Sequence, residues 1–384
     1  MSDAKTVPDY LLLGFALSSI GGPLALIALY IIGASGPALN SLGMAALIGA
    51  LLFVFPLFIW YNYSKKIASS GGLYEFVRQA AGEKVAKIQG WIWAFSYFLY
   101  LPYTVVYVVF YLIPDIFVVP RSYLYVLEIA LPLILIAMVI LSKKISLLFL
   151  FFGAILQLLV IIVLVWFVTS HTGISVATLA PNAGALDVFG GGFAVATLFI
   201  CLDLPLFLGG EIKNGRKILG KVMVASFALV AAFVVIAAVL IPAGVTQRVA
   251  SDAIPGFVLA KMYSNPAFAA TVGIFVLVSV IGLVLAEFFA LTRLMKHMLN
   301  IELSSSVLWI SGLFMLMSLA SLINPYKFYD YTLQPSLIAL WISQLIPVIA
   351  YPSFLKRFSR LTAVGVFAAL VSAALMLYGL YTAL

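Results

Sequence analysis

The chain has very little of what chemistry at a metal or nucleophile needs: one cysteine and two histidines in 384 residues. With Cys201 alone no intrachain disulfide can form, and cysteine usage says nothing about redox compartment. Charge is scarce too, at 9% of residues against 65% hydrophobic. Together with a mean hydropathy of +1.21 this excludes an ordinary soluble globular domain. No stretch is polar or low-complexity enough to form a separate soluble domain, so residues 1–384 read as one membrane domain.

What is abundant is apolar sequence in runs of roughly 20 residues, the length a helix needs to cross about 30 Å of hydrocarbon. About eleven such runs occur, with cores at 8–33, 39–63, 87–113, 122–141, 145–169, 190–211, 218–243, 266–292, 304–323, 331–355 and 361–383. The expected fold class is therefore an all-α integral membrane protein. The first run lacks a small-residue cleavage site after a short apolar core, so it reads as a membrane helix retained in the mature protein.

The formal net charge of +8 is explained by position. On one side of the expected topology lie Lys5, Lys65, Lys66, Arg78, Lys84, Lys87, Lys143, Lys144, Lys213, Arg216, Lys217, Lys221, Arg293, Lys296, Lys356, Arg357 and Arg360; only Arg121, Arg248, Lys261 and Lys327 fall on the other. This is the positive-inside pattern, and it predicts a cytoplasmic N-terminus and, after eleven crossings, a C-terminus outside, in the cell membrane. No nucleic-acid partner is implied. His171 and His297 fall in opposite loops, so no catalytic or metal-ligating constellation is visible, and neither an enzyme nor a cofactor is expected.

Two segments break otherwise apolar helices: Ser18-Ser19-Ile20-Gly21-Gly22-Pro23, and Cys201-Leu202-Asp203-Leu204-Pro205. If crossings one to five (8–169) form one repeat and six to ten (190–355) a second, inverted one, each break lies mid-way along the first helix of its repeat. Residues 361–384 are then a peripheral eleventh helix. Paired interruptions of this kind are the best sequence pointer to a carrier's binding site. Mid-membrane, such a break is tolerated only where protein or a polar cavity takes up the freed backbone groups.

Pro23 suits the first turn of a second half-helix, whose free N–H groups and dipole favour a carboxylate. The carbonyls around Ser18 and Ser19 suit an ammonium group or a small cation. Pro205 is expected to start the corresponding half-helix of the second break, with Asp203 just before it. An Asp at mid-span costs about 2.5–3.5 kcal/mol on insertion scales. Two compatible reasons for it are an N-cap and a carboxylate that meets a substrate amine or carries a proton. The expected substrate-binding residues are Ser18, Ser19, Ile20, Gly21, Gly22, Cys201, Leu202 and Asp203.

Cys201-Leu202-Asp203, followed at fixed spacing by Glu211-Ile212-Lys213-Asn214, resembles the sixth span of the amino acid–polyamine–organocation (APC) superfamily. There Gly-Phe-Glu/Asp precedes Glu-x-Lys-Asn-Pro. Ser69-Ser70-Gly71-Gly72-Leu73-Tyr74, with Gly82 and Gly90-Trp91, is similar to that superfamily's cytoplasmic Pro-x-Gly-Gly-x-Tyr motif. Ser18 to Gly22 is a weaker match to its Gly-Ser-Gly-Ile break.

The resemblance spans residues 8 to about 355. It implies the inverted five-plus-five fold of the leucine transporter, with discontinuous helices 1 and 6. It also implies a secondary transporter of amino acids or related amines working by alternating access, coupled to H+ or Na+ or by exchange. A cytoplasmic gate of Glu211, Lys213, Gly71 and Gly72 joined to the 64–86 loop follows from it. A polyamine carrier, a channel-like protein and a non-transporting sensor on the same fold stay open as alternatives, although no polar stripe or charge ring of a channel is visible. Lipid and a small amino acid or amine are the expected partners.

Several positions depart from the superfamily. Leu202 replaces the gating aromatic, leaving Phe199 or Phe207 as substitutes, and Gln157 stands where proton-coupled relatives place a lysine. Ser279 is a candidate hydroxyl for a cation site beside the first break, or a serine bonded to its own helix. Glu287 reads equally as a coupling acid and as the partner of a base such as Arg293. Glu128 reads as an acid reaching the external interface. Tyr97, Tyr100, Tyr103 and Tyr107 form one helical stripe, either packing or facing the cavity.

Overall fold

Where no water reaches the backbone, every N–H and C=O needs a partner within the protein, and a helix supplies them locally. The protein follows that rule: all regular structure among the described residues is helical. The structure is a computed structural model that describes residues 6–358, 360 and 362–384. Lys5, counted above on the basic side, lies outside them.

Ten apolar helical stretches are long enough to span a bilayer. The first, Asp9–Ser64, runs 56 residues, about 84 Å if it were one straight helix, far more than a single crossing requires. It turns back on itself at a 3-10 segment, Gly36–Ser41, where Gly36 takes φ 45°. It therefore supplies two crossings, and with the other nine the total is the expected eleven.

Crossings two to eleven are Leu42–Ser64, Glu83–Ile116, Arg121–Leu141, Lys143–Thr172, Ala185–Glu211, Gly215–Leu240, Pro266–Leu299, Leu303–Ser321, Pro325–Phe358 and Ala363–Ala383. Between crossings two and three lies a short helix, Gly72–Ala81. The loop before crossing eight carries two short helices, Ala243–Val249 and Pro255–Tyr263.

The first crossing packs on the fifth, the sixth on the second, and the tenth on the third; the eleventh lies against the second and tenth. Water does not drive helices together in lipid, so close approach of backbones matters more than apolar area. At the contact of crossings two and six, a side chain at Gly49 would lie 2.8 Å from the Gly192 carbonyl oxygen. Small residues on both helices let their main chains meet.

Both predicted breaks are present. Crossing one is α-helical over Asp9–Ser19, and Gly21 and Gly22 take φ 80° and 72°, left-handed values that other residues adopt only with strain. The helix restarts at Pro23, passes through a π-helical turn, Leu26–Tyr30, and ends as α-helix over Ile31–Ser35.

Crossing six differs from expectation. Its α-helix, Ala185–Thr197, stops earlier than predicted, and Ile200–Glu211 is a 3-10 helix that passes through Pro205 and does not restart there as α-helix. Such runs rarely exceed a few residues and commonly mark hinges. Two features bear on this: Pro205 has no N–H to give an i→i−4 bond, and, from elsewhere in the chain, the Ser69 backbone comes so close to Gly209 that a Cβ there would be 2.8 Å from its nitrogen.

The first break rests on Gly22, whose missing Cβ would sit 2.7 Å from the Ser279 Cβ. Gly22→Ala is expected to destabilise the protein by about 1–3 kcal/mol. Gly33→Ala, at an open helical position with nothing within 4 Å, should be neutral or stabilising. Thermal unfolding of both variants in detergent checks this, and equal melting temperatures would contradict the strained break.

Candidate functional site

A cavity of about 350 Å³ reaches both breaks, touching Gly21 on crossing one and Ile200 and Cys201 on crossing six. That volume suits a small molecule. Its wall is largely tyrosine: Tyr30, Tyr100, Tyr103, Tyr107 and Tyr329. Three of these come from the stripe on crossing three, because spacings of three and four keep them on one face. Tyr103 meets Tyr329 edge-on at 5.8 Å, and Tyr107 stacks on Tyr329 at 5.7 Å, joining crossings three and ten. The fourth stripe member, Tyr97, packs on Trp93 at 3.9 Å and turns its hydroxyl to Cys201 Sγ, 3.8 Å away.

Below Cys201 lie two buried acids. Asp203 Oδ2 accepts from Gln344 Nε2 at 2.8 Å and Trp93 Nε1 at 3.3 Å, while Oδ1 has no partner. It caps no helix, because crossing six does not restart at Pro205; its carboxylate bridges crossings three, six and ten. Glu287 is equally buried. Its Oε1 lies 4.0 Å from Cys201 Sγ and its Oε2 has no partner. The alternative of a Glu287–Arg293 pair is not what forms, since Arg293 is bonded to Glu211. A buried carboxyl with a bare oxygen is costly, so each is suited to holding a proton or meeting a cation.

At the first break the freed N–H groups are already used. Leu24 N donates to Gln157 Oε1 at 3.4 Å, Ala25 N to Ser279 Oγ at 3.3 Å, and the Ser279 hydroxyl to Gln157 Oε1 at 2.5 Å. Gly22 N donates back to the Ser18 carbonyl at 3.1 Å. Ser279 thus serves the break, the first of its two readings. The expected carboxylate site is corrected accordingly: side-chain oxygens from crossings five and eight occupy the half-helix end. The serines expected there are also engaged elsewhere, Ser18 Oγ donating to Leu150 O at 3.0 Å and Ser19 Oγ to Ala16 O at 2.9 Å.

Of the other expected contact residues, Ile20 and Leu202 are fully buried and do not line the cavity. Neither proposed substitute for the gating aromatic lines it either. Phe199 packs between Phe53 and Phe227 at 5.5 and 5.2 Å, and Phe207 lies on Trp93 at 4.4 Å. The rings that do line it are the tyrosines. Glu128 is also corrected: it is buried with Oε1 accepting from Ser321 Oγ at 2.8 Å, between crossings four and nine, and does not reach an interface.

Towards the basic end the structure is closed. Glu211 takes Lys143 Nζ at 2.8 Å and Arg293 Nε at 2.9 Å, and its carbonyl accepts from Val7 N at 2.9 Å. These contacts tie crossings one, five, six and eight. Gly71 and Gly72 pack against His297 and Phe207 so tightly that a Cβ at either would lie 2.6 Å from the ring.

The expected link of Glu211 to the 64–86 loop is replaced by these ion pairs. Lys213 is exposed and makes no ion pair among the described residues. A second knot holds Glu75, which accepts from Arg78 at 2.8 and 2.7 Å, Gln79 at 2.9 Å and His297 at 3.2 Å. Partial burial pushes its carboxyl up, but the His297, Arg78 and Gln79 contacts outweigh that and hold it down at about 2.

Trp93, Gln344 and the tyrosines on crossings one and ten are absent from the sequence reading, and Lys143 and Arg293 figure in it without their link to Glu211. A signal existed for Gln344: it is a lone amide in an apolar span, open to the same argument as Asp203. No cluster of His, Cys, Asp and Glu able to hold a metal occurs among the described residues.

Among curated proteins no sequence match is found. Similarity of fold is wide. A mutant of the Eremococcus coleocola manganese transporter superposes with a TM-score of 0.63 at 13% identity, covering 100% of this chain and 90% of that one. MhsT in complex with L-phenylalanine gives 0.62 at 14% identity over 97% and 98%. Mhp1, a nucleobase-cation-symport-1 family transporter in a closed conformation, gives 0.59 at 11% over 100% and 94%. At such identities the likeness shows the fold, the inverted-repeat transporter architecture. The sequence profile described as amino acid permease matches residues 12–301, most of the chain, and the protein belongs to that family, within the APC superfamily of transporters.

Proposed function

We propose that the protein is a secondary active transporter of amino acids or related amines in the cell membrane, with its N-terminus in the cytoplasm and its C-terminus outside. Residues 8–169 and 190–355 are its two inverted repeats, and the helix from 361 is peripheral. The observation that carries the reading is the cavity reaching both breaks, walled in part by Cys201, whose Sγ lies 4.0 Å from the buried Glu287 and which stands two residues before the buried Asp203. Gln157 and Ser279 are engaged in stabilising the first break, which moves proton coupling to Asp203 and Glu287.

Alternating access follows from the ties already described. The Glu211 latch and the Gly71-Gly72 contacts close the basic, cytoplasmic end. Towards the other end Tyr107 and Tyr329 are partly exposed. Opening inward then means separating crossings one and six from crossings five and eight at Glu211, with the 3-10 segment of crossing six as the hinge.

Uptake into proteoliposomes of a labelled amino acid and amine panel, under separate proton and sodium gradients, tests the activity. Accumulation driven by the proton gradient is expected, and no transport of any amine-containing compound would overturn the reading. In the same assay Asp203→Asn is expected to lose most transport while keeping its thermal stability within a few degrees. Normal transport by that variant at every pH would reduce Asp203 to a packing residue.

Cys201, the sole cysteine, reports on access. A membrane-impermeant thiol reagent should label it from outside only, and Glu211→Gln should add labelling from the cytoplasmic side. Labelling confined to the cytoplasmic side of the unaltered protein would contradict the assignment of the closed end.

A further inference from the structure

Within the transport reading, we infer that the cavity selects an organic amine lacking an α-carboxylate and carrying a compact aromatic or branched aliphatic body. Three observations converge on this. The first concerns where a carboxylate would bind. Of the N–H groups from Gly22 to Ala25, Gly22, Leu24 and Ala25 are each bonded within the protein and Pro23 has none. The Gln157 and Ser279 oxygens also place partial negative charge at that half-helix end, where a carboxylate would be repelled. Gly21 N is left as a single donor, too few for an anion leaving water.

The second is charge. None of the residues lining the cavity is Lys, Arg or His, so nothing basic is there to pair with a substrate carboxylate. The buried acids do the reverse. They lie behind the lining and not in it: Glu287 Oε1 is 4.0 Å from the Sγ of Cys201, a wall residue, Asp203 stands two residues beyond that cysteine, and each acid keeps a bare oxygen. Thr104, on the wall itself, has a buried hydroxyl without a partner, an acceptor for an ammonium group.

The third is the wall. The faces of Tyr30, Tyr100, Tyr103, Tyr107 and Tyr329 carry negative quadrupole and attract cations, while their area accommodates an apolar body. Leu26, Leu283, Leu337 and Trp341 complete an apolar surround.

The test compares amines with the amino acids from which decarboxylation would make them, because each pair differs only in the carboxylate. Binding and proteoliposome uptake are measured for phenethylamine against phenylalanine and isopentylamine against leucine. Each amine is expected to bind at least tenfold more tightly than its amino acid, a difference of about 1.4 kcal/mol.

Equal or tighter binding of the amino acids would overturn this inference and leave the transporter reading intact, whereas uptake of neither class would overturn both. Gln157→Ala and Ser279→Ala each unblock one N–H of the half-helix and are expected to narrow the amine preference several-fold. A preference unchanged in both would refute the blocked-donor argument, and the comparison in the unaltered protein stands whether or not either variant folds.

Discussion

The structure depends on a debt that the membrane imposes: a helix broken in hydrocarbon exposes backbone groups that must find partners inside the protein. At the first break the partners are Gln157 and Ser279, which bring crossings five and eight onto crossing one. At the second the chain takes a different course, winding Ile200–Glu211 as a 3-10 helix and packing Gly209 and Gly210 against Ser69 and Ser70. Both solutions join the two repeats. The site exists because the backbone is satisfied from outside each broken helix.

With the half-helix end satisfied by neutral oxygens, the remaining polarity of the site is acidic. Asp203 is held by Trp93 and Gln344, residues of crossings three and ten, so its carboxylate reports on whether crossing six is docked against them. Glu287, on crossing eight, lies 4.0 Å from the Sγ of Cys201, two residues before Asp203. A proton or a cation at either acid therefore changes the balance between packed helices, and the Glu211 ion pairs lie further along crossing six. The proposed coupling of substrate, proton and inner latch would have a short physical path through one 3-10 segment.

Much of this is legible in the sequence. The eleven crossings follow from apolar length, the breaks from glycine and proline at mid-span, and the family from the spacing of Asp203 to Asn214. Local pattern does not show which polar groups end up together. Gln157 looked like a missing lysine, and its role as acceptor for Leu24 depends on how crossing five lies against crossing one. The resemblance joins Glu211 to the 64–86 loop, yet its partners Lys143 and Arg293 come from crossings five and eight. The 3-10 course of Ile200–Glu211 is fitted to a close contact between Gly209 and Ser69, which no local propensity records. Phe199 and Phe207 were sound candidates by type; both are committed to the core, and the rings of the cavity come from three- and four-residue spacings on crossing three and from crossings one and ten.

The central claim is that the two breaks and the two buried acids form one cation-recognising site. A structure determined with a bound amine measures it most directly. The account predicts the ligand nitrogen between Gly21 and Cys201, within about 3.5 Å of an Asp203 or Glu287 oxygen, and the apolar body against Tyr103 and Tyr329. A nitrogen placed away from both acids, or a ligand carboxylate seated on the Leu24 and Ala25 N–H groups with Gln157 and Ser279 displaced, would contradict it.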